Sequence, residues 1–280
     1  MAQVAFLGTG LLGSGMSERM LRQGQDVVVW NRSVDKTRPL EALGAKVAAT
    51  PEAAVAGASF VHMVLADDAV VDAVIDRIAS HLSPETVVID HSTTSPAGTK
   101  ARFERGARAF NLLHAPVFMT PQMCRDGLGL MLASGPQRVF DAVKDRLAAM
   151  AGDVWYQGER PELAAALKIF GNSMIFVLTA GIADVFGMAA NLCVPLQDAV
   201  GLFSKFHVGG LVNARAVKMA SGDPTATFEL TMARKDMRLM LEAAGTERLI
   251  VLPAIAKRMD EAIAAGHGQH DMGVSFVQGR

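Results

Sequence analysis

A chain of 280 residues, half of them hydrophobic, has the material for a full core and for one or two domains. Its 27 basic and 28 acidic residues nearly cancel, with no basic block or acidic tail, which argues against nucleic acid and anionic membrane as partners. The two cysteines, Cys124 and Cys193, form neither a metal-ligand spacing nor a disulfide framework, which fits a reducing cytoplasm.

No basic segment precedes the first apolar run, so no signal peptide is expected. Short β-rich runs follow at Gln3–Leu7, Asp26–Asn31, Phe60–Leu65, Thr86–Asp90 and Asn111–Pro116. Between them lie amphipathic helical segments near Leu11–Arg22, Ser33–Leu43, Ala69–Ser80 and Pro96–Arg105. Such alternation predicts βαβ units and a parallel sheet covered on both faces. Gly127–Ala133 reads as a further strand, and a helix opens near Pro136 and closes at Gly152. Beyond Gly158 the pattern changes. No proline interrupts Glu162 to about Leu192, which predicts one long helix, apolar on most faces and central to what surrounds it. Its longest apolar run, Met174–Ala183, is too short to span a bilayer and reads as buried. Helices are expected at Leu196–Phe206, Val212–Ala220, Leu230–Ala244 and Val251–Ala265, with no competing strand signal. A domain boundary is therefore placed near residue 160, dividing an α/β domain (1–160) from an all-helical one (161–280).

Gly8, Gly10 and Gly13 form G-x-G-x-x-G, with a strand before them and a helix after. Gly8 permits a tight turn, Gly10 a close approach of diphosphate to backbone, and Gly13 close packing of helix on strand. Leu11 and Leu12 open the helix, whose free N–H groups and positive dipole end suit phosphate. This context identifies a Rossmann-type, doubly wound dinucleotide fold. The second strand ends in Asn31, Arg32 and Ser33 rather than in the Asp or Glu that reads an NAD ribose. A guanidinium there suits a 2′-phosphate, so NADP(H) is the expected cofactor, with NAD(H) as the lesser alternative.

The substrate should lie beyond the carboxyl ends of the strands. Asp90-His91-Ser92-Thr93-Thr94-Ser95-Pro96 crowds hydroxyls there, open to a substrate-binding or a helix-capping reading, while His91 reads as structural. Lys168 and Asn172, four residues apart, share one face of the long helix among apolar neighbours. Partial burial would lower the lysine pKa toward a usable acid–base range. Asp184, farther along, calls for a cationic or hydrogen-bonding partner at a helix or subunit contact. Lys235-Asp236 reads as a charged helix face.

Taken together, these motifs resemble the β-hydroxyacid dehydrogenase family along nearly the whole chain. "VAFLGTGLLG" is similar to its cofactor loop, "VWNRS" to its NADP-preferring members, "DHSTTSP" to its D-x-S-T-x-x-P segment, "LKIFGN" to K-x-x-x-N and "ARKD" to a late Lys-Asp pair. The resemblance implies Lys168 as general acid or base and Asn172 as its partner in holding substrate. It implies Leu65, Ala66 and Val70 along the cofactor groove, Thr93 near the nicotinamide, and Lys235 approaching the cofactor from the helical domain. It also implies a homodimer through the long helix, with pairing into tetramers left open. One segment departs from the family: Phe118, Met119 and Thr120 stand where members carry Ser-Gly-Gly to hold a substrate carboxylate. With Ser92 they are the candidate substrate contacts, and they leave room for a bulkier or more apolar carbonyl compound. Two alternatives stand beside this reading. Imine reductases share the fold and the W-N-R segment but commonly carry Asp or Tyr in place of the lysine. A dinucleotide-binding scaffold without turnover would have lost the clamp.

Overall fold

The computed structural model describes residues 3–106, 110–206 and 208–277. The chain divides into two compact units at the Asn172–Ser173 bond, inside the long helix rather than at its start.

In the first unit the order is β1 (Val4–Leu7), α1 (Leu11–Arg22), β2 (Val27–Trp30), α2 (Arg38–Glu41), β3 (Lys46–Val47), α3 (Pro51–Val55), β4 (Phe60–Met63), α4 (Asp68–Ile78), β5 (Val87–Asp90), α5 (Pro96–Gly106) and β6 (Asn111–His114). The six strands form one parallel sheet in the order β3-β2-β1-β4-β5-β6. This is the doubly wound order whose chain direction reverses beside β1. β1 has no polar side chain because both of its faces are covered. Val4 and Phe6 enter one core with Met16, Met20 and Val29, whereas Ala5 and Leu7 enter the opposite one with Val61, Val71 and Ile78. The period of two along the strand thus feeds two helical layers.

A second, three-stranded sheet contains β7 (Val117–Phe118), β8 (Leu130–Ala133) and β9 (Asp153–Tyr156), with α6 (Pro121–Asp126) and α7 (Gln137–Ala148) between them. Sequence pattern located β8 and α7 but missed β3, α3, β7, α6 and β9. The missed strands are two or four residues long, and β9 keeps only alternate residues partly covered, too short a run to carry periodicity. α8 (Glu162–Asn191) follows, and its first turns, through Asn172, complete the first unit.

The rest of α8, together with α9 (Leu196–Lys205), α10 (Val208–Ser221), α11 (Leu230–Ala244), α12 (Leu252–Ala262) and α13 (Met272–Ser275), makes the second unit. Leu230, Ala233, Met237, Ala256, Met259 and Ala262 form its core. Asp271 is buried there, accepting hydrogen bonds from Thr227 N and Oγ1, Phe228 N and Gly273 N. These donors hold its carboxyl, against the cost of burial, at a pKa of about 2.

The expectation that α8 is buried throughout is not met within one chain. Ala164, Ala165 and Lys168 are buried, but Ile175, Phe176 and Val177 are exposed. By length and composition alone α8 could cross a membrane, although its apolar stretch is flanked by two buried ionisable groups, Lys168 and Asp184.

Candidate cofactor groove and active site

The glycine loop closes on itself by steric necessity. Gly8 has φ +97°, and a Cβ there would stand 2.1 Å from the Val64 carbonyl oxygen. A Cβ on Gly13 would stand 1.9 Å from the oxygen of Gly8. At Gly10, by contrast, a Cβ would meet nothing within 4 Å, because the backbone there faces open space. Gly10 is also the N-cap of α1, and no side chain caps that end. The first N–H groups of the helix are thus left for a ligand.

Asn31 pins this loop from the end of β2. Thr9 N–H donates to its Oδ1 (3.0 Å), and its Nδ2 donates to Ser33 O (2.9 Å). The side chain sits where a ribose reader was expected, but both ends of its amide already hold backbone.

A groove of about 660 Å³ opens at this corner of the sheet. Gly8, Gly10, Asn31, Arg32, Ser33, Leu65, Ala66 and Val70 line it as expected from sequence. Leu11, Leu12, Gly13 and Thr93 lie outside that lining: Leu11 and Thr93 are exposed, and Gly13 is packed into the loop. Trp30, Lys36 and Arg77 belong to the wall and were missed. Lys36 follows Arg32 by four residues, a second cation close by in sequence, which was a usable signal. Arg77 arrives from the far end of α4, bound to the Glu52 carboxylate through Nε (2.7 Å) and Nη2 (3.0 Å), and no local pattern announces it.

The D-H-S-T-T-S-P segment works mainly as a joint. Ser92 Oγ accepts from Leu65 N–H (2.9 Å), tying the end of β5 to the groove wall after β4. Ser95 Oγ accepts from Gly98 N–H (3.0 Å) and caps α5. His91 is structural, as its lack of a nearby carboxylate partner in sequence implied. Its Nδ1 lies 2.7 Å from Ala115 O, which can only accept, so Nδ1 carries the proton and Nε2 accepts from His62 Nδ1 at 2.9 Å. Burial pushes its pKa down to about 4.

Lys168 stands on the face of α8 turned toward β7. It is 9% exposed, and its Nζ lies 4.0 Å from the centre of the Phe118 ring. Among the described residues neither Nζ nor the Asn172 amide has a hydrogen-bond partner or ion pair. Burial lowers the lysine pKa below its usual range. Thr120 caps α6, accepting from Met123 N–H (3.2 Å), and the Met119 sulfur accepts from the Cys124 thiol (3.8 Å). Of the three residues replacing the expected clamp, Phe118 places its ring against the Lys168 ammonium.

In the second unit, Asp184 finds backbone partners rather than a cation. It accepts from the N–H groups of Ile250 (2.5 Å), Val251 (2.8 Å) and Leu252 (2.9 Å), closing the start of α12. Lys235 on α11 is half exposed and paired with Asp236 at 2.6 Å.

Residues 3–158 match the protein family described as the NAD binding domain of 6-phosphogluconate dehydrogenase. The chain belongs to that family. Within it, the β-hydroxyacid dehydrogenases are its kin, and the chain is an NAD(P)-dependent oxidoreductase. It is 29% identical to the 3-sulfolactaldehyde reductase of Escherichia coli (strain K12), over 100% of this chain and 96% of that protein. It is 28% identical to glyoxylate/succinic semialdehyde reductase 2, chloroplastic, of Arabidopsis thaliana, over 98% of this chain and 78% of that one. The fold is shared with a reductive aminase from Aspergillus terreus solved with NADPH4, cyclohexanone and allyl amine (TM-score 0.89, 22% identity, 100% of each chain). Within this family the glycine corner and groove fit a nicotinamide dinucleotide: the open face at Gly10 leaves room for a diphosphate, and the uncapped helix supplies its donors.

Proposed function

We propose that the protein catalyses reversible hydride transfer between NADP(H) and a carbonyl/alcohol pair of the aldehyde, semialdehyde or β-hydroxyacid class, with Lys168 moving the proton. The nicotinamide, when bound, supplies or accepts the hydride. The observation that carries the reading is a nine-tenths-buried ammonium with no hydrogen-bond or ion-pair partner among the described residues, on the same unit as the dinucleotide groove. A buried cation without a counter-charge is costly to keep. In reduction, the Lys168 ammonium donates a proton to the carbonyl oxygen; in oxidation, the neutral amine takes the hydroxyl proton. Burial brings its pKa closer to the working pH, where proton transfer is most efficient. Asn172, one turn on, offers an amide to the same substrate. The aldehydes named for the Escherichia coli and Arabidopsis thaliana relatives support this substrate class.

Preference for NADP(H) rests on Arg32 and Lys36 in the groove wall and on the absence of a carboxylate at the end of β2. A homodimer through α8, in the cytoplasm, is part of the same reading: the exposed Ile175, Phe176 and Val177 call for a cover, and a second copy supplies it.

The test is a screen of aldehydes, semialdehydes, keto acids and a cyclic imine with NADPH and NADH. Lys168→Ala is expected to bind NADPH normally and turn over about a hundredfold more slowly or worse, the usual scale of acid–base effects. Near-normal turnover in that variant, or reduction of the imine alone, overturns the reading. Arg32→Ala should reduce the NADPH/NADH ratio of kcat/KM by about tenfold or more, the scale of a charge-assisted contact; an unchanged ratio removes Arg32 from cofactor selection.

A further inference from the structure

The contact between Phe118 and α8 has a fitted geometry. Phe118 is fixed by its place in β7, paired with Leu130 of β8. Its ring reaches α8 where Gly171 leaves a gap: a Cβ there would stand 2.3 Å from Cζ and 2.6 Å from Cε1 of the ring. Lys168 is three residues earlier on the same helix face. Its Nζ stands 4.0 Å from the ring centre, within the range of a cation over an aromatic face. Among the described residues no carboxylate, histidine or other cation of β7, α8 or any other element is paired with Nζ, and burial alone lowers its pKa. Among the described residues the ring is therefore the group that interacts favourably with the charged form. It also occupies a position where an anion-holding segment was expected.

We propose that Phe118, lodged against Gly171, is a positioning residue for Lys168: the ring carries the ammonium and fixes where its proton is delivered. This rests on the acid–base role given to Lys168. The ring faces charge with its negative quadrupole, so it keeps a buried lysine protonated where an aliphatic side chain would not. Gly171 is the matching half of the device, because any larger residue displaces the ring.

Phe118→Leu keeps apolar bulk and removes the quadrupole; Phe118→Tyr keeps the ring. The measurements are the pH profile of kcat for aldehyde reduction with NADPH and the titration of the Lys168 amine by NMR of the 13C-dimethylated protein, assigned with Lys168→Arg. In Phe118→Leu the alkaline limb of kcat and the amine titration should both move to lower pH. kcat should fall about tenfold while KM for NADPH stays constant, and Phe118→Tyr should restore both pH responses. Gly171→Ala should lower Tm by several degrees in the wild-type background and by much less with Phe118→Ala. An amine titration and limb unmoved in Phe118→Leu refute the contact. A moved titration with near-normal turnover in Lys168→Ala instead refutes the acid–base role, and the positioning function with it.

Discussion

The two units handle their apolar residues in opposite ways. In the first, the strand residues Val4 to Leu7 are fully covered, and two cores fill both faces of the sheet. In the second, one modest cluster is buried, while Phe176, Val177, Leu202 and Val217 stay exposed on three helices. The first unit thus buries its central sheet within the one chain. The second has the composition of a core with much of its apolar surface exposed, the feature on which the proposed homodimer rests.

The sharpest way to break this contrast is to damage the first unit at its tightest point. Gly13→Ala forces a Cβ into the Gly8 carbonyl oxygen, with no flexible side chain to yield. The loop must open, and NADPH affinity measured by calorimetry should fall at least about a hundredfold, as overpacking strain and lost phosphate donors combine. Phe176→Glu strikes the other unit. It should weaken self-association by about a hundredfold in analytical ultracentrifugation, the worth of one buried aromatic side chain. The first unit's unfolding, read by tryptophan fluorescence, should not change, because Trp30 and Trp155 both lie there.

Acid separates the units by a smaller margin. His91 is held neutral with a pKa of about 4, below its ordinary 6.5, so the unfolded chain binds the extra proton first. Stability of the first unit is full above pH 6.5 and is lost as pH falls toward 4. Asp271 in the second unit has a pKa lowered from 3.8 to about 2, so its contribution persists to pH 3.8 and is lost only below that. Urea unfolding at pH 5 against pH 7 should show a loss of at least about 2 kcal/mol by tryptophan fluorescence, the linkage of His91 across 1.5 pH units, to which His62, also held well below its ordinary range by burial, adds in the same direction. No loss over that interval would contradict a neutral buried His91.

Much of the first unit was legible because its signals are local. Gly8, Gly10 and Gly13 need their strand and helix within a dozen residues, and that context was readable. The Lys168–Asn172 spacing placed two polar side chains on one face of α8, and the structure buries the lysine there. What stayed hidden depends on contacts remote in sequence. Arg77 belongs to the groove only because Glu52 holds it there, and Phe118 meets Gly171 across some fifty positions. α8 misled for a further reason: apolar content says that a face will be covered, not whether its own chain does the covering.

The amide of Asn31 has a practical corollary for anyone wishing to exchange one coenzyme for the other. The textual remedy, an acid at the end of the second strand, would keep the acceptor for Thr9 N–H but set a negative oxygen against the Ser33 carbonyl, where a donor now stands. On the proposed reading, retuning would proceed through Arg32 and Lys36, with Asn31 left as the clasp that keeps the turn in shape.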